Sequence, residues 1–111
     1  MAFAHITIHV ANLDRSIAFY KVFGMEVFRR FGSHGQEIAF LGDGPTKLEL
    51  VEDGKGSVDY PGISIGFTHE RASELVRSID GGFVGPITPA PGVEFYFVRD
   101  PDGYTVQILQ E

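Results

Sequence analysis

The side chains able to do chemistry are few and unevenly placed. Four histidines and no cysteine leave imidazole and carboxylate as the principal metal donors, and they remove the disulfide scaffold, the zinc ribbon and the thiol nucleophile. His5 and His9 share the polar face of an alternating segment, with Thr7 between them and Ile6, Ile8 and Val10 on the other side. Four residues along a strand separate their Cα atoms by about 13 Å, so the two cannot hold one ion. His34 belongs to Gly32-Ser33-His34-Gly35, which reads as a turn. His69 is expected in the first turn of a helix, and both are expected to be turn or cap residues. Glu49 alternates with Leu48 and Leu50 and shares its face with Lys47, so that face is polar enough to line a cavity. Arg29 and Lys47 are the nearby cations. Alternation groups Arg29 with Met25 and Val27, and both cations are expected to be solvated strand residues. No serine is read as seated in a nucleophile elbow, and no serine nucleophile is expected. Asp100-Pro101-Asp102-Gly103 lacks the spacing of a calcium loop and reads as a hairpin turn.

Strands and helices must position these groups. Strands are expected at Phe3–Val10, Met25–Phe31, Gln36–Leu41 and Lys47–Glu52 from alternation bounded by glycine turns. Between the first two, Asn12 can cap a helix whose apolar stripe is Leu13, Ile17, Tyr20 and Phe23, with Gly24 as its stop. The order then repeats. A strand is expected over 63–68, and then a helix capped by Thr68 with the stripe Ala72, Leu75, Val76 and Ile79, ended by Gly81-Gly82. Further strands are expected at Phe83–Ile87, Val93–Val98 and Tyr104–Leu109, with turns at Pro89, Pro91-Gly92 and 100–103. His5–Val10 overlies Gly62–Phe67 at an offset of 57, and Leu48-Glu49-Leu50 overlies Val106-Gln107-Ile108 at an offset of 58. The chain therefore reads as one domain over 1–111, made of a module near 1–53, a linker over 54–61 and a second module near 62–111. One such β-α-β-β-β unit has too small a core to stand alone, so two must pack.

Composition narrows the function. At 111 residues, with 43% hydrophobic and 22% charged side chains, the chain is globular rather than disordered. A formal charge of −6 works against a surface that tracks phosphates, so nucleic acid is not an expected partner. No apolar run reaches the ~20 residues of a membrane span, and no basic segment followed by an apolar one opens the chain. The expectation is a soluble cytoplasmic protein. Ten Phe and four Tyr add ring surface. Tyr96 alternates with Phe95 and Phe97, so one set should face a cavity while the other packs on a helix. Apolar walls with a few polar groups suit a flat small molecule.

The opening His5-Ile-Thr-Ile-His-Val-Ala-Asn-Leu-Asp-Arg-Ser-Ile-Ala-Phe-Tyr20, with Phe23-Gly24-Met25, and the closing Phe97-Val-Arg-Asp-Pro-Asp-Gly-Tyr104 with Val106-Gln-Ile108, resemble the vicinal oxygen chelate superfamily. That group holds glyoxalase I, bleomycin-resistance proteins, fosfomycin-resistance proteins and extradiol dioxygenases. The resemblance covers nearly the whole chain. It implies an α+β fold of two βαβββ modules forming an eight-stranded cup, a homodimer, and a small-molecule ligand. It also implies a divalent metal such as nickel, zinc, manganese or iron, with ligand positions that fall here on His5, Glu49, Gly62 and Gln107. The family's metalloenzymes place histidine where Gly62 stands and glutamate where Gln107 stands, so this chain departs at both. Two readings stay open. In one, His5, Glu49 and Gln107 hold the metal and Glu49 is the catalytic base of a glyoxalase-like lyase. In the other, they are polar wall residues of a non-catalytic binder of a drug or metabolite, and the loss of half the ligand set favours this one. A dioxygenase or fosfomycin-modifying activity would need the side chain missing at Gly62.

Overall fold

The structure, a computed structural model, describes residues 1–54 and 62–111. It separates into two compact units, Met1–Val58 and Asp59–Glu111. The expected linker lies, apart from Gly54, outside the described residues. The first unit runs β1 (His5–Val10), α1 (Leu13–Lys21), β2 (Val27–Ser33), β3 (Gln36–Leu41) and β4 (Lys47–Glu52), and the second runs β5 (Ser64–His69), α2 (Ala72–Arg77), β6 (Val84–Ala90), β7 (Val93–Arg99) and β8 (Thr105–Gln110). Each unit holds one four-stranded sheet, in the orders β1-β4-β3-β2 and β5-β8-β7-β6. The β1–β4 and β5–β8 pairs are parallel and the others antiparallel. The expected α+β fold with paired β-α-β-β-β modules is therefore present.

Each helix covers one face of its own sheet because the apolar periods agree. In the first unit Leu13, Ile17 and Tyr20 of α1 pack over Ala39, Leu41 and Leu50 of β3 and β4, and Ile8 of β1 is buried as well. In the second, Ala72 and Val76 of α2 meet Tyr96, Val98, Val106 and Ile108, also buried. Asn12 caps α1 as its type predicts, Oδ1 accepting from the Arg15 N–H at 2.9 Å. A second cap comes from β4, where Glu52 Oε2 accepts from the Leu13 N–H at 2.6 Å. The second unit repeats that device. Gln110 Oε1 of β8 accepts from the Ala72 N–H at 3.0 Å.

Three expectations are corrected. Thr68 and His69 are the last residues of β5 rather than a helix start, and the residue before α2 is Arg71, which makes no side-chain cap. Its N–H is instead taken by His69 Nδ1 at 2.9 Å. β6 continues through Pro89 to Ala90, because it is an edge strand whose proline nitrogens need no ladder partner. Finally, Gly62 precedes β5 rather than lying on it. The pairs Thr7–Glu49 and Gly66–Gln107 place Ser64, not Gly62, at the register position of His5. A shift of two residues keeps every side chain on its face, so the alternating pattern alone could not fix it.

Candidate functional site

The face of the first sheet that points away from α1 carries the candidate residues. His5, Thr7 and His9 project from β1, and Lys47 and Glu49 project from β4 at the register positions opposite His5 and Thr7. Glu49 Oε1 accepts a hydrogen bond from the Thr7 hydroxyl. His5 Nε2 lies 3.5 Å from the same oxygen, with the imidazole 41% and the carboxylate side chain 16% exposed. That is too long for an ordinary N–H···O bond but close enough for the two groups to act on one ligand atom. His9 is turned to another partner, its Nδ1 lying 3.0 Å from Asp53 Oδ2. The expected separation of His5 and His9 into different local sites therefore holds.

Across β4 the same row continues into aromatic surface. Glu49 stands opposite Phe40, and Phe40 stands opposite Arg29. The His5 ring meets Phe40 edge-on at 5.4 Å between centroids, and Phe40 lies nearly parallel to Phe31 at 6.2 Å. The Arg29 guanidinium carbon sits 4.9 Å above Phe31. Sequence alternation misses this placement of Arg29. The register steps from Val27–Leu41 to Arg29–Phe40, so β2 holds an extra residue at Phe28. Such a bulge inverts the parity of everything after it. Arg30 confirms the facing independently, since it turns to the helix side and pairs with Asp14 of α1 at 2.7 Å. That hydrogen bond raises the Arg30 pKa above its ordinary value. Lys47 is likewise engaged rather than simply solvated. It donates to the Gly44 carbonyl and lies 4.7 Å from the Phe28 ring centroid.

In the second unit Gln107 occupies the β8 position matching Glu49 in β4, opposite Gly66 and Phe97. The Phe95 and Phe97 rings share its face, 5.4 Å apart, while Tyr96 is buried on the α2 side, as the alternation predicts. A cleft of about 470 Å³ opens beside Phe97, lined also by Phe83, Val84, Arg99 and Thr105. A larger one of about 630 Å³ lies at the Pro89–Val93 turn and contains none of the candidate residues. Asp100 is structural. Its Oδ1 accepts from the Asp102 and Tyr104 N–H groups at 2.9 and 2.8 Å, closing the turn before β8.

Contrary to the expectation that no serine, Ser64 included, has nucleophile-elbow spacing, Gly62-Ile63-Ser64-Ile65-Gly66 does have it. Ser64 begins an extended strand and pairs in register with Thr105. An elbow needs a sharp strand-to-helix turn at the serine, so the spacing is coincidental.

His5 and Glu49 at 3.5 Å are spaced as two ligands of one tetrahedral ion would be, about 3.4 Å for bonds near 2.1 Å. A catalytic zinc needs a third protein ligand. Among the described residues no group of three or more His, Cys, Asp or Glu side chains gathers. In the second unit Gln107 offers a neutral amide, and neither Gly62 nor Ser64 offers an imidazole. Among the described residues the first unit therefore supplies two such donors rather than three.

Residues 2–108 match the family model described as the Glyoxalase/Bleomycin resistance protein/Dioxygenase superfamily. A lactoylglutathione lyase of Arabidopsis thaliana is 36% identical over 97% of this chain and 44% of its own length. One from Escherichia coli O157:H7 is 32% identical over 100% of this chain and 93% of its own length. The chain thus spans about half the length of the plant relatives and nearly all of the bacterial one. A solved trypanothione-dependent glyoxalase I of Leishmania major superposes with a TM-score of 0.82 at 32% identity, covering 100% of this chain and 87% of that one.

Proposed function

This chain belongs to the Glyoxalase/Bleomycin resistance protein/Dioxygenase superfamily, and on that premise we propose that it is a small-molecule-binding member that works without a resident metal. The observation that carries this reading is the donor chemistry of the second unit. The position matching Glu49 holds Gln107, and an amide oxygen is a weaker donor to a dication than a carboxylate. In the first unit His5 and Glu49 then act as polar wall residues beside the Phe40 ring, and in the second Gln107 does so beside Phe97, each able to orient a ligand by hydrogen bonds. The protein is proposed to act in the cytoplasm as a homodimer. No helix among the described residues is long and apolar enough to cross a membrane.

Elemental analysis of protein purified without chelator tests the reading. Substoichiometric nickel, zinc, manganese and iron are expected, and one tightly held ion per chain would overturn it.

A second reading is favoured by the retained His5–Glu49 pair together with the bacterial relative named lactoylglutathione lyase. In it the chain isomerises a hemithioacetal of glutathione, and Glu49 takes the proton alpha to the carbonyl. Turnover of the methylglyoxal–glutathione hemithioacetal, assayed with and without added nickel or zinc, separates the two. The binder reading expects none.

A further inference from the structure

We propose that Arg29 is an anion anchor, and that the face it shares with Glu49 takes a small molecule carrying a carboxylate one aromatic body away from a hydrogen-bonding head group. This rests on the small-molecule-binding reading above and names its ligand class.

The first support is placement. Arg29 reaches this face only because of the bulge at Phe28, which puts it in one cross-sheet row with Thr7, Glu49 and Phe40. The second is charge. Three carboxylates, Asp14, Glu37 and Glu52, raise the pKa of Arg30 on the helix side. Arg29 has no ion pair among the described residues and rests on the Phe31 ring. A guanidinium stacked on a ring keeps its planar donor edge free for a carboxylate. The third is spacing. Two inter-strand steps separate Arg29 from Glu49, about 10 Å between backbones, and the Phe40 ring fills the interval. A flat ligand lying over Phe40 would meet the carboxylate of Glu49 with a hydroxyl or amide donor at one end and Arg29 with its own negative group at the other. Lys47, the other cation of this face, is taken up by the Gly44 carbonyl and the Phe28 ring, which makes Arg29 the cation that would select an anion in a chain of overall charge −6.

The test uses 6-hydroxy-2-naphthoate and its carboxamide, read by naphthyl fluorescence anisotropy, which the absence of tryptophan leaves free of indole background. The acid should bind the intact protein about tenfold more tightly than the amide, the scale of one charge-assisted contact. Arg29→Met should erase that margin, Arg29→Lys should keep part of it, and Arg30→Met, on the opposite face, should leave it unchanged. Equal binding of acid and amide, no binding of either, or a margin that survives Arg29→Met would overturn the assignment. None of these outcomes would touch the metal-free reading, which answers to elemental analysis. Arg29 is exposed, so its variants should keep the thermal unfolding midpoint of the parent. Should Arg29→Met fail to fold, the acid–amide comparison on the unaltered chain and on Arg29→Lys still decides.

Discussion

Glu49 joins three neighbours of the candidate face, with the Thr7 hydroxyl bonded to it, the His5 imidazole beside it and Phe40 next in the row. Glu49→Gln keeps the shape and removes the charge. It should abolish any hemithioacetal isomerisation, measured as lactoylglutathione formation, and unchanged turnover would remove Glu49 from that chemistry. Asp100 makes the opposite case, a carboxylate spent on structure. With its side chain bonded to two backbone N–H groups, Asp100→Ala should cost about 2 kcal/mol in denaturant unfolding. The pairing of His5 with Glu49 was legible because the family resemblance names both positions and both strands alternate cleanly. Arg29 was not legible, since nothing in Val27-Phe28-Arg29 announces an extra residue. A bulge is set by how β2 meets β3, which is a tertiary event.

Apart from β6, which runs three residues beyond its expected end, the strands were readable to within a residue or two, and β3 and β4 match their expected bounds. The hairpin joining β2 to β3 explains why. His34 and Gly35 both take positive φ, 52° and 78°, the backbone that a two-residue turn demands. The start of α2 was misplaced because its capping groups come from His69 and Gln110, the latter remote in sequence. Those remote caps carry a prediction. Glu52→Ala and Gln110→Ala should each cost about 1 kcal/mol, seen as a lower midpoint in thermal unfolding followed by circular dichroism. β6 carries another. At Gly85, φ is +129°, and a Cβ would stand 2.9 Å from Tyr96 Cδ1 and 3.0 Å from the Phe95 carbonyl oxygen. Gly85→Ala should therefore destabilise the protein by about 2 kcal/mol through strain and overpacking.

Over the whole chain, the repeat was visible in the sequence, but its register was not, because a two-residue slide leaves the apolar pattern intact. The proposed homodimer predicts a sedimentation mass of two chains at micromolar concentration. A single-chain mass would restrict the protein to working alone. The duplication also explains how one half could change its chemistry safely. Where the first half has Glu49 and Glu52, the second has Gln107 and Gln110. Glu52 and Gln110 still present the same kind of oxygen to their helix N–H groups. Swapping acid for amide at such a point sheds a unit of electricity while sparing the architecture. The second half thus loses the carboxylate at position 107 yet keeps a capping oxygen at 110, leaving that row's charge to the first half.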